Sequence, residues 1–240
     1  ESINKFVISL KTRLDAQERE DGLVVDDKHN VSYASSVNGF ILDVDKTVKE
    51  LEKSLKNLTD QTKVEAYGTV IKIEDKNKEL ASINTKIASY TTSFENVGNR
   101  GHNIVLAASK LNGTVLMKDD EFSYLKVVGP YSAKNGYLPA PAYVNKVLST
   151  ANGGGVCQLA TTLYNAQLRA NLETIYRINH SYAPVYVPKG LDATVYSTTT
   201  DYKFKNQYDY PVYITSYVVG GKLTVDIWSS DKTLGIKTYE

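Results

Sequence analysis

Asn152-Gly153-Gly154-Gly155-Val156-Cys157-Gln158 runs directly into Leu159-Ala160-Thr161-Thr162-Leu163-Tyr164-Asn165, and the reading of this stretch decides the fold. Three consecutive glycines permit positive φ angles and let the backbone approach another group without a Cβ clash. Beyond them, Leu159, Leu163, Ala166 and Ala170 fall on one helical face and Leu168 and Leu172 on another. A helix apolar on two sides belongs at the centre of a domain. Cys157, the only cysteine in the chain, then stands at or near that helix's N-terminus. Unpaired N–H groups and the helix dipole there favour a thiolate, and a rigid buried helix gives a nucleophile the support it needs. A packing role fits the same residue, because free cysteines are among the most buried side chains.

Composition sets the bounds around this centre. A chain of 240 residues with 42% apolar residues has enough material for one large domain, or a medium domain with a smaller attachment. Its 28 basic and 27 acidic residues leave a net charge of +1, which gives no electrostatic case for nucleic acid. No stretch approaches the roughly 20 apolar residues of a membrane span. Glu1-Ser2-Ile3-Asn4 neither begins with Met nor leads into an apolar run, so membrane association is expected only through an anchor outside this stretch. Eighteen tyrosines offer flat amphipathic surface suited to sugars and peptides, and are equally at home on exposed β-sheet.

Towards the N-terminus, Phe6–Leu10 and Val31–Ala34 read as strands, with a charged loop or exposed hairpin between them. Val44, Val48, Leu51, Leu55 and Leu58 have helical spacing, and Asp43 or Asp45 can cap the start. Tyr67–Ile73 alternates as a strand, so residues 1–82 form a small α+β module. Residues 83–240 form a second domain, a mixed β-sheet around the Cys157 helix, and the fold class is α+β. Within it Lys86–Thr92 is extended, Ile104, Ala107, Ala108 and Leu111 mark a short helix ending at Asn112-Gly113, and Val115–Met117 is a strand. Pro139 and Pro141 make their stretch extended and irregular. Tyr182–Val187, Ala193–Tyr196, Tyr202–Phe204 and Val212–Val219 read as strands, and Gly220-Gly221 turns the last into Leu223–Trp228.

A cysteine nucleophile needs a base, and the chain has three histidines. His29 lies in the charged loop and reads as a surface residue. His102 opens a short helix, where histidine serves as a cap. His180, in Arg177-Ile178-Asn179-His180-Ser181, joins the cysteine helix to the β-rich half and is the preferred partner of Cys157. Asp192, or alternatively Asp201, stands at a strand end from which a carboxylate can orient the imidazole; a turn role suits either as well. One cysteine and scattered histidines show no zinc-ligand spacing, and Gly153–Gly155 lacks the Gly-Lys-Ser/Thr of a phosphate loop, so neither metal nor cofactor is expected.

Gly153-Gly154-Gly155-Val156-Cys157-Gln158 with Thr161–Ala166 resembles the core motif of the VanW domain. Further matching motifs are Asn99-Arg100, Asn103, Leu111-Asn112-Gly113, Phe122-Ser123, Val128-Gly129-Pro130, Gly136-Tyr137, Ala140-Pro141, Arg177 with His180-Ser181, Tyr186-Val187-Pro188, Gly190–Val195 and Asp201–Asn206. The resemblance covers about residues 86 to 215. More loosely, Val37-Asn38-Gly39-Phe40 and the helix after it resemble a partial peptidoglycan-binding domain of the kind that precedes VanW domains.

The family resemblance implies an extracytoplasmic, cell-wall protein of a Gram-positive bacterium. Clostridial members are similar to L,D-transpeptidases that make 3-3 cross-links between peptidoglycan stem peptides. On that reading Cys157 is the nucleophile, His180 the base and later acid, and the backbone N–H of Cys157 or Gln158 an oxyanion donor. Arg100 and Arg177 are candidates for holding a substrate carboxylate, or else structural ion pairs. Tyr164, Gly154 and Gly155 complete the substrate-binding set, the glycines leaving room for a peptide backbone beside Cys157. Two rivals use the same residues differently: a stem-peptide hydrolase, and a non-catalytic wall-binding module whose thiol would be slow to alkylate.

Overall fold

A computed structural model of the chain describes residues 2–56, 65–144, 147–196 and 199–235. Two compact units divide it, residues 1–24 with 33–81 and residues 25–32 with 82–240. In the first unit, α1 (Ser2–Leu14) replaces the strand expected at Phe6–Leu10. Ile3, Val7, Leu10 and Leu14 are spaced for one helical face, and Val7 is fully buried while Phe6 and Ile8 are exposed. The short β1 (Gly22–Val25) and β2 (Val31–Ala34) pair with each other. Then β3 (Gly39–Leu42) leads into α2 (Val44–Lys56), where the Asp43 carboxylate accepts from the Lys46 N–H at 2.9 Å as a cap. Leu58, expected on this helix, lies outside the described residues. β4 (Gly68–Ile71) pairs antiparallel with β3, and α1 packs against α2 and β3.

The second unit begins with β5 (Thr85–Ser93), α3 (Gly98–Leu111), β6 (Thr114–Leu116), β7 (Glu121–Ser123) and the single-turn α4 (Tyr124–Val128). β8 (Pro139–Val144) and β9 (Val147–Asn152) form an antiparallel hairpin. The hairpin gives regular structure to a stretch expected to be irregular. Pro139 and Pro141 are two apart, so both missing donors fall on the same edge of β8 and the pairing edge stays intact. From the hairpin the chain enters α5 (Val156–Arg169), then β10 (Glu173–Tyr176), β11 (Lys203–Lys205), β12 (Val212–Val219) and β13 (Lys222–Ser229).

Two antiparallel sheets organise these elements, one in the order β5-β13-β12-β6 and one in the order β10-β11-β7. The β12–β13 hairpin turns at Gly220 and Gly221, both at positive φ, as their sequence predicts. Helix α5 packs on β5, β13 and α3. Leu159, Ala160, Leu163 and Ala166 are fully enclosed, with Ile104, Leu111, Ile214, Leu223, Val225 and Ile227 in the same core. Truncating a core leucine such as Leu163 to alanine costs about 2–5 kcal/mol. The architecture is α+β, with the cysteine helix at its centre.

Tyr182–Val187 and Ala193–Val195 are not strands. They are irregular segments, and Tyr196 makes only an isolated bridge to Thr200. Pro184 and Pro188 deny the first segment regular pairing. The backbone of the second bonds instead to α5, through Thr161, and to Ile178.

Candidate active site

The turn before α5 is built against the protein's own backbone. Gly153 and Gly155 have φ of 83° and 113°, the latter as the helix N-cap residue. At Gly154 a Cβ would lie 2.5 Å from the Ala140 carbonyl oxygen and 2.7 Å from that of Pro141; at Gly153 it would lie 2.8 Å from the Tyr131 Cβ. Gly153 and Gly154 therefore make room for Tyr131 and the β8 strand, and Gly154 and Gly155, expected beside an incoming peptide, also line the cavity that Cys157 faces. The Asn103 side chain ties the turn down, donating to the carbonyls of Leu138 (2.8 Å) and Gly154 (3.1 Å). Tyr124 donates to the Val156 carbonyl at 2.9 Å.

Cys157 is thereby fixed on the first turn of α5, facing a cavity of about 640 Å³ that His180 also lines. Its thiol donates to the Val195 carbonyl at 3.2 Å. Burial pushes the thiol's pKa up, and the Asp192 carboxylate adds to that; contacts with the Val195 backbone, Arg100 and its own N–H oppose it without prevailing. The helix start does not by itself yield the thiolate expected from sequence. At rest the group is a thiol that needs a base.

Behind His180 stands Asp192, 3% exposed, whose Oδ2 accepts from both the backbone N–H and the ring Nδ1 of His180, each at 2.6 Å. Burial alone would raise the Asp192 pKa, but these His180 hydrogen bonds outweigh it and hold the carboxyl below its ordinary value. An ionised Asp192 requires Nδ1 to carry the proton, leaving Nε2 as the ring's acceptor. Arg177 braces this loop by donating from Nε to the Asp192 carbonyl (2.6 Å) and from Nη2 to the Gly190 carbonyl (2.7 Å). Its guanidinium also lies 5.0 Å over the Tyr164 ring. Neither Arg177 nor Tyr164 lines the cavity; Arg177 takes the structural alternative, bonded to the Asp192 loop, with Tyr164 against its guanidinium.

Asp201 is taken up elsewhere, accepting from the Ser123 hydroxyl (2.7 Å) and from the N–H groups of Leu125 (2.9 Å) and Tyr202 (2.8 Å). Those bonds make it a cap for α4. His102 bonds to the Gly136 carbonyl (2.9 Å), and His29, expected on an exposed loop, stacks on Tyr217 with centroids 3.7 Å apart. Arg100 does line the cavity, one Nη donating to Gln158 Oε1 at 2.7 Å. Among the described lining residues it carries the one fixed charge. Gln158 is a buried tie whose amide donates to Thr92 and Ser93 on β5 (both 3.0 Å). Its backbone N–H, one of the two expected oxyanion donors, is engaged with the Gly155 carbonyl at 2.9 Å, whereas the other, that of Cys157, has no backbone acceptor.

Sequence reasoning missed the tyrosines on the cavity wall. Tyr131 and Tyr186 line it beside Cys157, and burial followed by the cysteine's charge pushes both phenols up. Nothing in composition sets them apart from sixteen other tyrosines; the available signal was their adjacency to Gly129-Pro130 and Val187-Pro188. Thr194, between Asp192 and the Val195 that holds the thiol, was missed in the same way.

The family description "VanW like protein" matches residues 99–228, more than half of the chain and all of the site just described. The chain belongs to the VanW family. It is 39% identical over 154 residues to the uncharacterized protein YoaR of Bacillus subtilis (strain 168), which covers 63% of this chain and 51% of that protein. It is also 29% identical over 136 residues to the vancomycin B-type resistance protein VanW of Enterococcus faecalis (strain ATCC 700802 / V583), covering 53% of this chain and 50% of that protein. The chain thus spans about half the length of the curated relatives it matches. No solved structure matches it.

Proposed function

We propose that the protein is a cysteine-dependent L,D-transpeptidase that forms 3-3 cross-links between peptidoglycan stem peptides at the outer face of a Gram-positive cell. The observation that carries this reading is one cavity holding Cys157 and a His180 whose Nδ1 is locked onto Asp192. The resistance name of the Enterococcus relative agrees with a wall substrate.

In the first step His180 Nε2 takes the thiol proton as the sulfur attacks the carbonyl carbon of the donor stem's third residue. The C–S bond forms and the carbonyl electron pair moves onto oxygen. Collapse expels the terminal D-amino acid, whose amine receives the proton from His180. The side-chain amine of a second stem's third residue then attacks the thioester, His180 again moving the proton, and the cysteine leaves as the amide forms. Arg100, the fixed positive charge of the cavity, suits a stem-peptide carboxylate, and the flanking tyrosines, prolines and valines suit a peptide's apolar faces. The first unit, residues 1–24 with 33–81, would hold the wall polymer as its resemblance suggests.

Purified tetrapeptide-bearing muropeptides test the reading. The wild type should accumulate cross-linked dimers and free D-amino acid, and Cys157→Ala should make neither. Shortened stems without dimers would reassign the same residues to hydrolysis. A Cys157→Ala variant that cross-links at the wild-type rate would sink the cysteine mechanism. Alkylation of the free protein does not separate enzyme from binding module, because the raised thiol pKa makes slow modification near neutral pH the expectation for both.

A further inference from the structure

The transpeptidase chemistry needs donors for the oxygen that becomes negative when Cys157 attacks, and of Val156, Cys157 and Gln158 at the helix start only Cys157 has an N–H without a backbone acceptor. The Gln158 N–H is bonded to Gly155 and the Val156 N–H to the Gly153 carbonyl (3.1 Å). The Cys157 N–H, close to its own sulfur, can serve as one donor, as a nucleophile's own N–H does in the serine-protease oxyanion hole, and leaves a second to be supplied. Four tyrosine hydroxyls are buried around this end of the helix. Tyr124 donates to Val156, Tyr137 to Val128 at 2.7 Å, and Tyr186 is paired with Thr161. The fourth, that of Tyr131, is buried with no hydrogen-bond partner, although its residue lines the cavity.

Burying an unpaired hydroxyl opposes folding, so a cavity wall that keeps one without a partner points to a ligand atom it meets in use, once the ring turns the hydroxyl towards the cavity. Gly153 passes so close that a Cβ there would lie 2.8 Å from the Tyr131 Cβ, and the Tyr131 ring meets Tyr137 edge-on with centroids 5.5 Å apart and planes at 85°. Tyr131 and Cys157 line the same cavity, and burial first, then a cysteine thiolate when one forms, push the phenol's pKa up.

We propose that the Tyr131 hydroxyl is a second oxyanion donor beside the Cys157 N–H, hydrogen-bonding the substrate carbonyl oxygen as negative charge develops on it. This rests on the transpeptidase reading and adds a catalytic residue to it. The phenol stays protonated throughout: as the C–S bond forms, the carbonyl pair moves to oxygen and accepts the Tyr131 O–H bond, and it returns when the amine leaves. Thr194 offers the other unpartnered hydroxyl on the cavity wall, but a phenol is the stronger acid and so the stronger donor to an anionic oxygen.

Tyr131→Phe is the test, because it removes only the hydroxyl and keeps the ring packing. In the muropeptide assay kcat for release of D-amino acid should fall about 10²–10³-fold with KM little changed. The melting temperature should hold or rise, since the lost group had no partner. A peptide aldehyde that adds reversibly to Cys157 should lose affinity in proportion to kcat, while the unreactive peptide amide binds as before. A wild-type kcat in Tyr131→Phe, or a kcat loss in Thr194→Val instead, overturns this inference while a dead Cys157→Ala leaves the transpeptidase reading standing. A fall in melting temperature with kcat intact would make Tyr131 structural and overturn it too.

Discussion

Asp21 in the first unit and Asp192 in the second are built alike and used differently. Both are almost fully buried, at 6% and 3% exposure, and both gather donors that hold their pKa values down. Asp21 takes the Tyr33 hydroxyl (2.7 Å) and the backbone N–H groups of Lys76 (2.9 Å) and Asn77 (2.7 Å). None of these donors changes protonation near neutral pH: two are amides, and burial with the Asp21 charge raises Tyr33 to about 12. Asp192 takes a backbone N–H too, but its second partner is an imidazole that lines a cavity with a thiol on its wall. One carboxylate pins a chain crossing. The other passes its charge to a ring that can accept a proton. Burial and hydrogen-bond count do not separate a carboxylate held by inert donors from one that holds a titratable ring; the chemistry of the donor does.

The largest expected effect breaks the pair apart directly. Asp192→Asn preserves size but lets His180 take the wrong tautomer, so cross-linking should fall about 10³–10⁴-fold with the fold intact. Asp21→Asn should leave the rate unchanged. Dimer formation measured for both variants checks this, and equal losses would show that the two joints are of one kind.

How far sequence could distinguish them follows from the same chemistry. The lone cysteine in the first turn of a helix and the two-sided apolar face of α5 were legible because local pattern carries them, and the loop after that helix does bring His180 to the wall of the cavity that Cys157 faces. Asp192 and Asp201 were not separable: each follows a loop and precedes a β-type run, and only the path of the chain brings one to His180 and the other to Ser123 and Leu125. Arg177 and Tyr164 looked like ligand groups for the same reason, since a guanidinium fits a bound substrate's carboxylate as well as the Asp192 loop. Phe6–Leu10 shows the converse failure. A five-residue apolar window reads as a strand, while the spacing of Ile3, Val7, Leu10 and Leu14 over a longer one makes it α1.

A smaller effect sharpens what gives Asp192 its use, namely the fixed place of the thiol that its imidazole serves. A Cβ on Gly154 would press on the carbonyl oxygens of Ala140 and Pro141, backbone atoms with no freedom to rotate aside. Gly154→Ala should therefore cost about 1–3 kcal/mol of stability, read from the denaturant midpoint. Activity should drop as the turn moves Cys157, even where the variant is fully folded. Gly22→Ala, beside Asp21 with nothing within 4 Å of the added carbon, should change neither quantity.

The smallest effect belongs to Asp21 and appears in acid. Burial raises its pKa, but the bonds from Lys76, Tyr33 and Asn77 prevail and lower it to about 2, below the ordinary 3.8. The folded form thus binds a proton less readily than the unfolded chain, so this carboxylate stabilises above about pH 4 and loses that contribution as the pH falls towards 2. Asp192 is depressed as well and fades on the same side. Global melting therefore cannot tell the two apart, but local exchange can. Protection of the Lys76 and Asn77 amides should decline between pH 4 and 2 in the wild type and start low, without that decline, in Asp21→Asn. Protection that is equal in both and flat with pH would mean that Asp21 does not pin the crossing, and the contrast with Asp192 would reduce to one charged joint and one incidental contact.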